Sequence, residues 1–305
     1  MYITIIAPKC RQYNVIIVCP KHMGRRFRFK EGVAVVTGAS SGIGLELSIL
    51  LAEKGMKVIG VARREKLLVK LGNQISENKV VIKNGGEFIP LKCDVTSENE
   101  RTLILEMVNS FGGELDLLVN NAGRGYDSLL MEGEMEYEQK LLELNVMSPL
   151  LISRMLSDSL SKVSSVGVPT IVNVSSLVGY YPLQAIGFYS ATKAALSSMT
   201  HSMRSDLKSE GIHVIGCHPG MTSTAFNVAS ERNNERTRPT KNQKGRTAKK
   251  QAQIIIRSIR WKRKKADPIE SGPYRLLSVI SNGLVNMGSK YFYRKSHPIN
   301  EIGEE

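Results

Sequence analysis

Strand-like and helix-like segments alternate along most of this chain, and that alternation restricts the fold more than any other feature. The apolar runs are VAVVTG (Val33–Gly38), KVIGVA (Lys57–Ala62), EFIPLKC (Glu87–Cys93), LDLLVN (Leu115–Asn120), TIVNVS (Thr170–Ser175) and HVIGCH (His213–His218). Most are short, rich in β-branched residues and apolar on successive positions, as strands covered on both faces are. Helical periodicity fills the intervals. It covers Gly44–Lys54 with Gly55 as a C-cap, the polar stretch Arg63–Glu77, and about Glu98–Phe111 with Thr96 and Ser97 as caps. One long helix is expected over about Glu134–Ser161, and another after Gly187. Repeated strand–helix units predict an α/β fold: a single domain built on a doubly wound parallel sheet.

With 305 residues, 42% of them hydrophobic, the chain can bury one large core. Its four cysteines (Cys10, Cys19, Cys93, Cys217) form no C-x-x-C pair, and no Cys/His cluster has metal spacing. The expectation is reduced thiols, a cytoplasmic protein and no metal. The net charge of +14 is uneven: Glu231 to Lys265 holds 14 Lys/Arg against two Glu. That span carries Trp261 as its only aromatic residue, so nucleic-acid binding, which favours interleaved stacking residues, is not expected. Residues 1–30 read as an N-terminal extension outside the fold. Its apolar runs are too short to span a membrane, and both Met1 and Met23 fit as starts. Residues 31–227 read as the catalytic core, 228–251 as a mobile basic loop and 252–305 as C-terminal helices. In the last part, Lys262 to Lys265 precede an apolar segment from Leu276 to Met287. That pairing suits contact with an anionic membrane surface, and equally a solvated basic stretch beside a packed helix.

Two local patterns point to chemistry. TGASSGIG (Thr37–Gly44) lies between the first strand and its helix. Gly38 permits a tight turn, and Gly42 and Gly44 leave room where a pyrophosphate would meet the free N–H groups of a helix N-terminus. After the second strand the chain reads Ala62, Arg63, Arg64, with no acid to hold a ribose 2′-hydroxyl. Two guanidinium groups there suit a 2′-phosphate, hence NADP(H). The second pattern is Tyr189 and Lys193, one helical turn apart in GFYSATKAAL. On one helix face an ammonium near a phenol favours the phenolate, so the pair is either a reactive acid–base couple or a surface coincidence.

Taken together, TGASSGIG, CDVT (Cys93–Thr96), NNAG (Asn120–Gly123), LNV (Leu144–Val146), NVSS (Asn173–Ser176), YSATK (Tyr189–Lys193) and HPGMTST (His218–Thr224) stand in one order and spacing. In this the chain resembles the classical short-chain dehydrogenase/reductase family over roughly Glu31 to Thr224. The resemblance implies a Rossmann-type fold and an NADP(H)-dependent oxidoreductase interconverting a carbonyl and a secondary alcohol. Its catalytic residues would be Ser176 (thirteen before the tyrosine, rather than Ser175), Tyr189, Lys193 and Asn145. It further implies cofactor binding by Gly38, Ser40, Ser41, Gly42, Ile43, Gly44, Arg63 and Arg64. Asp94 and Val95 would meet the adenine, and Asn121, Ala122 and Gly123 would form the wall beneath the adenosine half. Tyr189 and Lys193 would also hold the cofactor, and Pro219, Gly220, Thr222 and Thr224 would lie beside the nicotinamide. Tyr180, Tyr181 and Phe188 are candidates for an aromatic pocket wall, or for core. The C-terminal tail is similar to that of members acting on lipophilic carbonyls, often near a membrane, and departs from the tetrameric acyl-carrier-protein reductases; a homodimer is the expected assembly. The alternative is an NADP-binding regulatory or scaffold protein holding anionic lipid or RNA on its basic segment.

Overall fold

Residues 26–161, 166–223, 231–232 and 245–267 are described by the structure, a computed structural model. In chain order, β1 (Val33–Thr37) leads into α1 (Gly42–Ala52), and β2 (Lys57–Ala62) into α2 (Glu65–Ser76) and α3 (Lys79–Asn84). Next come β3 (Glu87–Lys92), α4 (Glu98–Ser110), β4 (Leu117–Asn120) and the two-residue β5 (Tyr126–Asp127). After them follow α5 (Met135–Leu142), α6 (Ser148–Met155), α7 (Ser157–Ser161), β6 (Thr170–Val174), α8 (Gly187–Asp206) and β7 (His213–Cys217). The described part ends with the short β8 (Thr222–Ser223), β9 (Glu231–Arg232) and β10 (Arg246–Thr247), then α9 (Ala248–Arg260). Six strands form one parallel sheet in the order β3-β2-β1-β4-β6-β7. This is the doubly wound Rossmann-type sheet expected from the sequence. Its order reverses between β1 and β4, so the crevice at their carboxyl ends is where such sheets bind ligands.

Alternation within each strand feeds two cores, one per face. Ala34 and Val36 point with Val58, Leu117 and Val119 toward α1, α2 and α9. Val33 and Val35 point with Ile59, Val61 and Leu118 toward α4, α6, α7 and α8. The first core also holds Phe27 and Phe29, which are 2% and 4% exposed, and the Phe27 amide donates to the Arg260 carbonyl at 3.3 Å. The packed body therefore starts by Phe27, earlier than the boundary after residue 30. Two aromatic rings with a place to bury outweigh the basic residues around them. At the other end, Thr247 caps α9 by accepting from the Lys250 amide, so the expected loop gives way to helix at Ala248. The apolar segment Leu276–Met287 and residues 1–25 lie outside the described residues, with the membrane-contact expectation for that tail. Among the described residues no helix is long and apolar enough to cross a membrane.

The long helix expected over 134–161 is broken. A π-helical turn occupies Glu143–Met147, and α6 ends at Met155. Pro149 has no N–H to offer the carbonyl of Asn145, and the Ser148 amide reaches back five residues to Glu143 instead. The extra residue in that turn sets Asn145 inward, where it is fully buried.

Candidate functional site

The glycine turn after β1 is held from across the sheet. The Thr37 hydroxyl accepts from the amides of Asn121 and Ala122, both at 3.0 Å, and the Asn121 side-chain amide donates to the Thr37 carbonyl at 2.9 Å. Gly38 has φ +69°, and a Cβ there would sit 2.8 Å from Asn121 Nδ2; one on Gly44 would sit 2.4 Å from the Gly38 carbonyl oxygen. Side chains are thus excluded by contact as well as by backbone conformation. Ser41 precedes α1 without capping it, because its hydroxyl accepts from Arg64 instead. The N–H groups that open α1 at Gly42, Ile43 and Gly44 therefore have no side-chain cap from Ser41.

The two arginines after β2 diverge. Arg64 Nη2 donates to the Ser40 and Ser41 hydroxyls at 2.8 and 2.7 Å, which clamps it against the glycine turn. Arg63 turns instead to Asp94 at 3.4 Å, with 59% of its side chain exposed. Burial pushes the Asp94 carboxyl up, but hydrogen bonds from the Thr96 amide and hydroxyl, with the Arg63 charge, hold it below its ordinary value. The Val95 side chain is buried in the second core, and its carbonyl accepts from Arg101. Ser97, rather than Thr96, caps α4.

Tyr189 and Lys193 lie one turn apart near the start of α8, with Lys193 Nζ 5.9 Å from the Tyr189 ring centre. Tyr189 is hydrogen-bonded to Ser176. Ser175 faces away: its hydroxyl donates to the Lys193 carbonyl at 2.7 Å. Consecutive residues leaving a strand point to opposite sides, so Ser176 is the one beside the phenol. Lys193 is 4% exposed, and its ammonium donates to the Val174 carbonyl at 3.1 Å. Burial brings that ammonium down to about 8. The phenol moves the other way. Burial first, and the Asp127 charge after it, push Tyr189 up to about 12 against the hydrogen bond with Ser176. This corrects the expectation that Lys193 favours the phenolate: desolvation of both groups is the larger effect here.

Asn145 is tied on every side. Its Oδ1 accepts from the Arg124 amide at 3.1 Å, and its Nδ2 donates to the Arg124 carbonyl and the Thr192 hydroxyl at 3.0 and 3.1 Å. It thus fixes the chain after Gly123 against α8. A Cβ on Gly123 would lie 3.0 Å from Asn145 Oδ1 and 3.2 Å from Lys193 Nζ. Pro219 and Gly220 border the same end of the sheet. The Pro219 carbonyl accepts from the Leu177 amide at 3.0 Å, and the Thr222 hydroxyl donates to the Gly220 carbonyl at 3.0 Å. Thr224 lies outside the described residues.

One group escaped the sequence reading. Asp267 Oδ1 bonds His218 Nδ1 at 2.7 Å, and His218 Nε2 meets the Ser197 hydroxyl at 3.2 Å, all under the floor of α8. Ser197 in turn donates to the Lys193 carbonyl at 2.8 Å. Tyr180 lays its ring on His218, with centroids 4.5 Å apart, so it braces this network rather than standing free as a pocket wall. No local pattern marks Asp267: it lies 49 residues from His218.

Known proteins resemble this chain in sequence and in fold. An uncharacterized oxidoreductase of Staphylococcus saprophyticus is 33% identical over 196 residues, covering 64% of this chain and 80% of that protein. A solved short chain dehydrogenase/reductase from Burkholderia phymatum, in complex with NAD, superposes with a TM-score of 0.69 at 22% identity; the match covers 91% of this chain and all of that one. A metagenomic short-chain oxidoreductase in complex with NADP superposes with a TM-score of 0.56 at 28% identity, over 63% of this chain and 84% of its own. The short chain dehydrogenase family model matches residues 32–235, and the chain belongs to that family of oxidoreductases.

Proposed function

We propose that the chain is an NADP(H)-dependent oxidoreductase that interconverts a carbonyl and a secondary alcohol on a lipophilic substrate. The observation that carries this is the meeting of Tyr189, Ser176, Lys193 and Asn145 at the carboxyl ends of β4 and β6, beside the glycine turn. The residues fit a dinucleotide: a Cβ on Gly38, Gly44 or Gly123 would close the cradle, and the opening N–H groups of α1 suit a pyrophosphate. Gly38, Ser40, Ser41, Gly42, Ile43 and Gly44 would hold that pyrophosphate and adjoining ribose. Arg63, Asp94, Val95, Asn121, Ala122 and Gly123 would border the adenosine half, and Pro219, Gly220, Thr222 and Thr224 the nicotinamide half. A bound nicotinamide supplies or accepts the hydride.

The chain's own groups manage the proton and the oxygen. A phenol held at about 12 stays protonated at neutral pH, so Tyr189 donates to the oxygen of a carbonyl under reduction and takes the proton back in the reverse direction. Ser176, beside the phenol, donates a hydrogen bond to the same oxygen and polarises it. Lys193, beside the phenol, would hold the ribose hydroxyls of the nicotinamide half. Asn145 ties the loop after β4, at Arg124, to α8 at Thr192. For the cofactor, Arg64 supports the NADP(H) reading better than Arg63 does. It is fixed on Ser40 and Ser41, and Ala62 leaves no carboxylate to repel a 2′-phosphate. A lipophilic substrate is supported by apolar exposure near the start of α8. Leu130 is 61% exposed and lies within 3.6 Å of the position a Cβ on Gly187 would take, next to Met131 at 94% and with Met135 at 69%.

Three outcomes follow. In an NADPH-oxidation screen over ketosteroids, 3-ketosphinganines, acyl ketones and retinals, Tyr189→Phe lowers turnover by about three orders of magnitude with NADPH binding retained; turnover within tenfold of wild type would sink the assignment. Arg64→Ala weakens NADPH by about tenfold or more and leaves NADH nearly unchanged, measured as the two dissociation constants; equal losses for both cofactors contradict the 2′-phosphate role. The third concerns Lys193. Its folded value of about 8 lies below the unfolded 10.5, so between these pH values the unfolded chain carries the extra proton. Stability from this group is therefore depressed below about pH 8 and rises with pH through that window. Urea unfolding without added cofactor tests it. The stability of wild type minus that of Lys193→Met climbs from pH 8 to 10, by at most about 1.4 kcal/mol per pH unit; a flat difference means the ammonium is not depressed.

A further inference from the structure

At the far end of α1 from the glycine turn, roughly 16 Å along the helix axis, the chain gathers positive charge around its single tryptophan. A shallow recess of about 270 Å³ lies between α1 and α9, with Leu50 and Ile256 contributing apolar surface and Lys54, Arg257 and Arg260 contributing cations. Trp261 forms its rim and is 48% exposed. Arg26 stacks its guanidinium over the Trp261 ring at 3.8 Å. Lys54 and Arg260 share a second ring, Phe29, at 5.7 and 5.6 Å from its centre. Among the described residues none of these four cations has a carboxylate within ion-pair distance. The neighbouring Glu53 is turned to Asn78, from which it accepts a hydrogen bond at 3.1 Å.

Favourable placement at the end of α9 explains Arg257 and Arg260, which sit in its last turn. Lys54, just past the end of α1, is favoured in the same way; Arg26, which comes from the start of the packed chain, has no helix end to explain it. α9 itself, Ala248 to Arg260, contains no acid. Burial, and then the Arg260 charge, push the Lys54 ammonium below its ordinary value against a smaller opposing pull from Glu53, so like charges crowd here. An anion placed among them relieves that repulsion. Guanidinium forks match phosphate oxygens in pairs, and a half-exposed indole over an apolar floor accepts the adjoining carbon framework. A second copy of this chain is a poor occupant, because a two-fold contact would bring the same cationic face against itself.

We propose that the recess lined by Lys54, Arg257, Arg260 and Trp261, with Arg26 stacked on the Trp261 rim, binds a phosphate group carried on an apolar or glycerol body. It is separate from the cofactor cradle at the other end of α1 and independent of the reading given for that cradle. The phosphate can come from a phospholipid headgroup or from a soluble organic phosphate, and one experiment separates the two. Trp261 is the only tryptophan of the chain, so its emission reports occupancy directly. The full chain is titrated with inorganic phosphate, with glycerol 3-phosphate, and with phosphatidylcholine vesicles with and without phosphatidic acid; vesicle co-sedimentation gives a second readout. The expected result is a saturable emission change that Arg257→Gln/Arg260→Gln weakens by about tenfold or more. Lys66→Gln/Lys70→Gln, which removes as much charge from the exposed face of α2, leaves it unchanged. Response to acidic vesicles alone identifies a headgroup; response to glycerol 3-phosphate at the same residues identifies a soluble phosphate. No response to any probe, or equal weakening in both double variants, overturns the site. Far-UV circular dichroism and the urea midpoint of each variant check that it is folded.

Discussion

A buried cation organises the site. Lys193 is 4% exposed, and a charge so placed must be met by oxygen atoms or lose its proton. The Val174 carbonyl at the end of β6 receives the ammonium, and the surroundings are shaped to let it reach that far. Gly123 leaves the space in front of the ammonium open. Gly179 lets the chain after Ser176 pass against the backbone of Lys193, where a Cβ would come within 2.9 Å of the carbonyl carbon. Ser175 and Ser197 both donate to the Lys193 carbonyl, and His218 with Asp267 backs Ser197. The small residues around the Tyr189–Lys193 pair are thus a packing requirement of the lysine. Bulk at Gly123 or Gly179 would move the ammonium or the helix that carries it.

The same economy of space appears at the glycine turn. Thr37, Asn121 and Ala122 lock the ends of β1 and β4 together, and Gly38 and Gly44 fit only without side chains. Arg64 joins the turn from the end of β2. The crevice is built from groups that are each bonded to the next strand's end, so its shape depends on the sheet order more than on any loop. Electrostatics divides the molecule further: Arg64 is committed to the turn, whereas among the described residues Lys54, Arg257, Arg260 and Arg26 have no carboxylate within ion-pair distance. Both places suit phosphate, at opposite ends of α1.

Much of this was legible in the sequence because it is local. Apolar runs and glycine placement fix the strands, the turn and α1, and the i, i+4 spacing puts Tyr189 and Lys193 on one face. What was not legible is set by distance or by burial. The π-turn at Glu143–Met147 follows from Pro149 and interrupts a pattern that otherwise reads as continuous helix. Phe27 and Phe29 look like part of a basic leader until α9 is seen to cover them. Asp267 finds His218 only through the fold. The protonation of the pair was misjudged for the same reason: spacing shows that an ammonium lies near a phenol, but not that both are desolvated. Arg63 and Arg64 are adjacent in sequence, yet one caps the turn and the other salts Asp94, a difference carried by side-chain direction alone.

The central claim is that this site passes hydride between a nicotinamide and a carbonyl carbon while the chain handles the proton. Deuterium tracing tests it most directly. With NADPH carrying deuterium on the transferable C4 position, the product alcohol recovered from a lipophilic ketone should carry one deuterium on its carbinol carbon, and none on oxygen-exchangeable positions. Tight NADPH binding with unlabelled alcohol, or with the label kept on the nicotinamide as product accumulates, would contradict it.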